Sequence, residues 1–233
     1  MKKEIKINPI AIIIARGNSV SIKNKNLKII NKKPLLEWSI NHCKESRKIR
    51  DIWVSSDSKK ILNFAQSKGV KIIKRPKKYS RSNSSSESAW LHAINHLEKK
   101  KIYFDTILAP QVTSPIRGKN DFDNAIKIFI SKKLDSMFSA TKIRDHFVWK
   151  KKNNYLKPNY DYKDRKPRQK IAPNYLENGS FFIFNKSKFK KNNCRMFGKI
   201  GFYVQDSYKS FQIDEKEDLI ILESIMKNIR KFT

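Results

Sequence analysis

The sequence predicts an α/β fold built on a mostly parallel sheet, and three features carry that expectation. The run Ile10-Ala11-Ile12-Ile13-Ile14-Ala15 is unbroken and apolar, as in a strand buried on both faces at the centre of a parallel sheet. Further short apolar runs follow, separated by stretches of helical periodicity, which is the βαβ rhythm. The runs open onto small and polar residues, where open α/β sheets hold their ligands.

The elements follow in order. After the opening loop, Pro34 suits a helix N1 position, and Leu36, Ile40 and Cys43 recur at helical spacing. Residues 51–57 read as a second strand. Ser58 can cap the next helix, which turns Ile61, Leu62 and Ala65 inward and stops at Gly69. Residues 70–73 form a third strand, ending at Lys74-Arg75-Pro76. The serine run from Ser80 to Ser88 leads into an amphipathic helix with Trp90, Ala93, Ile94 and Leu97 on one face. Residues 104–109 read as another buried strand running into Gln111-Val112-Thr113-Ser114-Pro115-Ile116-Arg117. A helix with Phe122, Ala125, Ile126, Phe129 and Ile130 inward follows, then a short strand at 137–141. Residues 142–173 change character, being dense in Lys, Tyr, Asn and Pro, and read as an insertion or dimerisation arm with a short extended piece at 146–149. Phe181 to Phe184 form a strand behind the polar turn Glu177-Asn178-Gly179-Ser180. Late strands are expected at 201–204 and 210–213, before a final helix initiated by Asp214.

Composition narrows the classes of function. The 233 residues suit one domain with a modest insertion. The formal charge of +31 would serve a polyanion binder, but the lysines are spread along the whole chain. Aromatic and basic residues interleave in no one segment as a stacking platform requires, so nucleic acid is not the expected partner. No apolar run approaches the roughly 20 residues of a membrane helix. Met1-Lys2-Lys3 is followed by no cleavage pattern, and Cys43 and Cys194 match no paired metal spacing. A cytoplasmic protein with free thiols is expected.

The chemistry concentrates at the strand exits. Arg16 at the end of the first run and Lys25 beyond it flank a loop of Gly, Ser and Asn whose backbone N–H groups can meet an anion. Two cations around such a loop suit a nucleoside triphosphate, although the loop is neither a Walker loop nor a GxGxxG turn. The serine run occupies a helix N-terminus, which presents unbonded N–H groups and partial positive charge. His42, His92, His96 and His146 match no catalytic constellation and read as structural.

Ala15-Arg16-Gly17-Asn18-Ser19, Lys25-Asn26-Leu27 and Lys33-Pro34-Leu35 resemble the signature of the acylneuraminate cytidylyltransferases, which make CMP-activated sialic and other nonulosonic acids. The resemblance continues in order through Val54-Ser55-Ser56-Asp57, Lys74-Arg75-Pro76, the serine run, Gln111 to Arg117, Pro167-Arg168-Gln169, Asn178-Gly179 and Phe211-Gln212-Ile213-Asp214. It implies a Rossmann-like three-layer nucleotidyltransferase fold and CMP transfer from CTP to a nonulosonic acid sugar, by a homodimer. By the same resemblance Arg16 and Lys25 are catalytic and, with Ser19, Asn26, Arg75, Ser86, Gln111 and Thr113, bind the nucleotide. Gln111, Arg168, Asn178 and Phe182 would meet the sugar, and Asp214 would hold Mg²⁺, with Asp57 and Glu87 capping or orienting loops.

Three positions depart from the family pattern. Val20 stands where the family carries a lysine, Gln212 where it carries a metal aspartate, and Trp149 near a basic sugar contact. The residues leave open an octulosonate-type acceptor, and a non-catalytic descendant that binds nucleotide or polyanion.

Overall fold

A computed structural model of the chain describes residues 7–144 other than residue 20, and residues 147–229. Val20, His146 and the Met1-Lys2-Lys3 terminus lie outside the described residues. In chain order the strands are β1 (Pro9–Ile14), β2 (Ile29–Ile30), β3 (Lys33–Pro34), β4 (Ile52–Ser56), β5 (Lys71–Lys74), β6 (Thr106–Pro110), β7 (Ser136–Ile143), β8 (Trp149–Lys152), β9 (Tyr155–Pro158), β10 (Asn174–Asn185) and β11 (Ile200–Gln205). The helices are α1 (Leu35–Glu45), α2 (Lys59–Ser67), α3 (Ser86–Lys99), α4 (Asp121–Ser131), α5 (Lys186–Asn192) and α6 (Lys216–Asn228).

Seven strands form the central sheet in the spatial order β11-β7-β10-β6-β1-β4-β5. β1 pairs in parallel with β4 and β6, β4 with β5, and β7 with β11. Only β10 runs against its neighbours. Side chains of β1 alternate between two cores, as the strand period requires. Ile10 and Ile12 pack with Trp90, Ile94 and Leu97 of α3, whereas Ala11 and Ile13 pack with Leu36 and Ile40 of α1 and with Phe122 and Ile126 of α4. Helices therefore cover both faces of the sheet, giving the three layers expected. Truncating Ile12, which is fully buried, to Ala would cost about 2–5 kcal/mol.

Local signals explain the helix ends. The Ser58 hydroxyl accepts from the Ile61 amide at 3.5 Å, and Gly69 beyond α2 has φ +66°. Ser85 caps α3, accepting from the Ser88 amide at 3.1 Å. No described helix is long and apolar enough to cross a membrane.

The structure corrects several expectations. Pro34 takes the N-cap position of α1, with ψ 143°, rather than N1. Residues 210–213 are not a strand: a 3₁₀ turn at Ser207–Ser210 precedes them, and the Ile213 amide bonds the Thr113 carbonyl at 2.9 Å instead of a sheet neighbour. Asp214 does not start the last helix; Glu215 does, in a capping box with Asp218. That box also uses the Asp214 amide, which donates to Asp218 at 2.7 Å. The sequence reading missed α5 and the first residues of β10, which begins at Asn174 and changes register between Glu177 and Phe182. Within 142–173, β8 and β9 form a separate antiparallel hairpin.

Candidate functional site

A cavity of about 390 Å³ opens at the carboxyl ends of β1, β5 and β6. Because β1 and β6 are parallel, their exits meet on one side of the sheet. The loop after β1 supplies Arg16, Ser19, Lys25 and Asn26; the exit of β5 supplies Arg75; the start of α3 supplies Ser86; and the exit of β6 supplies Gln111 and Thr113. Asp214 and Gln212 close the rim. The structure thus gathers into one cavity every residue expected to meet the nucleotide, together with the expected metal ligand.

Backbone packing shapes the first loop. Gly17 lies so close to α2 that a Cβ there would stand 2.8 Å from Ser58 Cβ, and its amide donates to the Asp57 carboxylate at 2.9 Å. The Asn26 amide donates to the Arg16 carbonyl at 2.8 Å, folding the loop on itself. Lys25 Nζ donates to the Ile213 carbonyl at 2.8 Å and reaches the Asp214 carboxylate at 3.2 Å.

The cavity is cationic. Arg16, Lys25, Arg75 and Arg81 line it, against the single carboxylate of Asp214. Arg75 is only 4% exposed and donates to Ser80 Oγ at 2.8 Å. Burial lowers its pKa to about 10; the Asp57 carboxylate opposes that shift and the Arg16 charge adds to it. Arg75 therefore stays cationic at neutral pH, and an anion in the cavity would relieve the repulsion between the two arginines.

Beneath the far wall, buried Arg117 ties three elements together. Its guanidinium donates to the Gln111 carbonyl at 2.7 Å, to the Ser180 carbonyl at 2.7 Å, and to the hydroxyls of Ser180 at 3.0 Å and Ser39 at 3.2 Å. Gln111 is thereby held by its backbone, whereas its side-chain Nε2 is buried without a partner among the described residues. A buried unpaired donor at a cavity wall is costly unless something bound there accepts from it. Gly179, at φ +62°, lets the Gln212 amide lie against it; a Cβ there would stand 2.7 Å from Gln212 Nε2.

Three residues expected to meet the sugar are not among those lining this cavity. Arg168 is exposed, in a 3₁₀ turn of the 142–173 segment. Asn178 is 2% exposed, and its side chain bonds Thr141 at 3.3 Å, Gln205 at 3.1 Å and the Ser180 amide at 3.2 Å. Phe182 lies in the core beside Trp90. The sequence reading did not single out Tyr79 or Arg81, which also line the cavity. Arg81 carried a usable signal, being the cation inside the serine run. His92 and His96 stack on α3 at 6.3 Å and border a separate cavity.

The family model described as Cytidylyltransferase matches residues 10–232. An N-acylneuraminate cytidylyltransferase A of Danio rerio is 30% identical over 218 residues, covering 91% of this chain and 49% of that protein. The Post-translational flagellin modification protein B of Campylobacter coli is 26% identical over 229 residues, covering 92% of this chain and 93% of its own length. The chain spans about half the length of the Danio relative. Among solved structures, a CMP:2-keto-3-deoxy-manno-octonic acid synthetase complexed with CTP superposes with a TM-score of 0.69 at 13% identity, covering 95% of this chain and 99% of that one. A 4-diphosphocytidyl-2C-methyl-D-erythritol synthase does so with a TM-score of 0.68 at 10% identity, covering 95% and 100%.

Proposed function

The chain belongs to the cytidylyltransferase family, and from that premise we propose that it transfers CMP from CTP to the anomeric hydroxyl of a nonulosonic acid of the sialic, legionaminic or pseudaminic type, for surface glycan biosynthesis. The observation that carries this reading is the convergence of Arg16, Lys25, Arg75 and the buried Gln111 donor on one cavity at the strand exits. In the reaction a bond forms between the sugar oxygen and the α-phosphorus, the bridge to the β-phosphate breaks, the hydroxyl loses its proton, and pyrophosphate leaves. Such transfers are accelerated mainly by positioning and charge neutralisation. Arg16 and Lys25 take the triphosphate and the charge that grows on the leaving group, with Ser19 assisting. Arg75 and Asn26 hold the loop around the nucleotide, Ser86 meets its ribose or base edge, and Gln111 and Thr113 stand where nucleotide and sugar join.

Asp214 would hold Mg²⁺ through its carboxylate, a hard oxygen donor exposed at the rim, where Lys25 Nζ also meets it at 3.2 Å. When bound there, the ion would supply further neutralisation of the phosphates. The sugar contacts assigned to Arg168, Asn178 and Phe182 would need these side chains to meet an acceptor outside the cavity described. Exposed Trp149, Tyr155 and Leu156 on the β8–β9 hairpin, and Phe202 and Val204 on edge strand β11, support a homodimer. The free thiols of Cys43 and Cys194 suit a cytoplasmic setting.

The test is Mg²⁺-dependent pyrophosphate release from CTP with neuraminic, legionaminic, pseudaminic and octulosonic acids as acceptors. Release with one of the first three acceptors, and none from ATP or UTP, is expected. Release only with the octulosonate would replace the proposed substrate. Silence throughout, with CTP still bound, would favour a non-catalytic descendant.

A further inference from the structure

Arg195 sits in the connection between α5 and β11, far in sequence from the first turn of α3, yet it grips that turn. Its Nε donates to the Glu87 carboxylate at 2.6 Å, across 108 residues. The same guanidinium lies 4.9 Å from the ring centroid of Trp90 and 4.8 Å from that of Phe182. A planar cation bonded to a carboxylate and lying against two aromatic rings has little freedom left. Both members of the ion pair are mostly buried, with side chains 26% and 16% exposed. Burial opposes ionisation of Glu87, but the Arg195 hydrogen bond and charge outweigh it and hold the carboxyl below its ordinary range.

What Arg195 grips is the flank of a helix that forms part of the cavity wall. Ser86 and Ala89 line the cavity, one helical turn apart. Glu87 and Trp90 are each the next residue along, so they occupy the strip about 100° further round the helix. Ser85, the helix cap, also faces the cavity. Any rotation or fraying of this first turn would move all three lining residues together. The cap, accepting from the Ser88 amide on its hydroxyl and from the Ser88 hydroxyl on its carbonyl, fixes the turn locally; Arg195 fixes it to the core along the adjacent flank of the helix.

We infer that Arg195 is a positioning residue for the nucleoside part of the nucleotide, acting through Glu87 and Trp90 to set where Ser85 and Ser86 meet it. This rests on the nucleotide-site reading above. Phe182 takes a defined part in it, as one of the two rings, set edge to face, against which the guanidinium lies.

The test compares the wild-type chain with Arg195→Met, Arg195→Lys and Glu87→Gln by calorimetry, using CMP and inorganic pyrophosphate as separate probes and thermal unfolding as the check on folding. In Arg195→Met the CMP dissociation constant is expected to rise about tenfold, with pyrophosphate affinity unchanged, since Arg16 and Lys25 are untouched. Arg195→Lys, which keeps charge but not the planar fork, should fall between wild type and Arg195→Met. In turnover, KM for CTP should rise while kcat is kept. Unchanged CMP affinity in a folded variant, or equal loss of CMP and pyrophosphate affinity, would overturn the inference. Should Arg195→Met not fold, Arg195→Lys and Glu87→Gln carry the same comparison. Failure of the wild-type chain to bind CMP or CTP would overturn the nucleotide-site reading, and this inference with it.

Discussion

Lys25 and Asp214 stand 3.2 Å apart, and the same ammonium donates to the Ile213 carbonyl at 2.8 Å, so the loop after the first strand is fastened to the segment before the last helix. The lysine thereby joins two rims of the cavity and leaves its charge at the opening between them. A residue with both tasks should be sensitive to truncation. Lys25→Ala is expected to lower kcat for CMP transfer on the order of 100-fold, about 3 kcal/mol of transition-state stabilisation. Steady-state rates of pyrophosphate release measure this.

The carboxylate of the pair gives a separate prediction. Asp214→Asn keeps the shape and removes the negative charge at the rim. The Mg²⁺ concentration for half-maximal rate should rise by about tenfold or more. A metal titration that does not shift would remove Asp214 as a ligand. Gln212→Asp, adding a second carboxylate beside Gly179, should shift the titration the other way.

Acid stability should depend on His42. Its ring is buried, bonds the Pro115 carbonyl at 3.1 Å, and has its pKa lowered from 6.5 to about 4, by burial first and then by the charge of Arg117. The unfolded chain takes up this proton near pH 6.5, whereas the folded chain does so only near pH 4. Between those values the unfolded state binds more protons, so stability present above pH 6.5 is lost as pH falls towards 4. The loss attributable to this group is about 3 kcal/mol. Urea unfolding of wild type and His42→Gln across this range should show a flatter profile in the variant.

Arg117 should matter through folding rather than chemistry. Its guanidinium holds the Gln111 and Ser180 carbonyls and two buried hydroxyls, with no carboxylate among these partners. Arg117→Met strands several of those acceptors, at a cost of about 3 kcal/mol or more. Chemical denaturation should show a matching fall in midpoint.

The thiols offer a check on the core. Cys43 is buried and its pKa is pushed up to about 12, chiefly by burial, whereas Cys194 is exposed. Of the 2 cysteines, a thiol reagent should modify Cys194 alone in the native protein and reach Cys43 only on denaturation.

Most of the fold was legible because the signals were local. The β1 run, the Ser58 cap, Gly69 and the Trp90-Ala93-Ile94-Leu97 face each depend on neighbours a few residues away. The meeting of Arg16, Arg75, Gln111 and Thr113 in one cavity was legible for a related reason: parallel strands bring their exits to one edge. What failed depended on distant partners. The 210–213 segment has a strand-like composition, but its Ile213 amide is taken by Thr113 and Ser210 pairs with Thr141, so no sheet edge receives it. The direction of β10 could not be read from its apolar run. The partners of Asn178, which the resemblance assigned to the sugar, were likewise not legible: Thr141 and Gln205 bond its side chain from distant strands. Arg195 carried no local signal at all, because its partners Glu87, Trp90 and Phe182 come from two other elements.

The central claim is that the cavity around Arg16 and Lys25 takes a cytidine triphosphate. Calorimetric titration of CTP into wild type, Arg16→Ala and Lys25→Ala, with UTP and ATP as comparisons, tests it most directly. The account predicts that wild type binds CTP in preference to the other two nucleotides. Each alanine variant, still folded, should lose about tenfold or more in affinity. CTP affinity equal to wild type in both variants would place the nucleotide elsewhere and contradict the account.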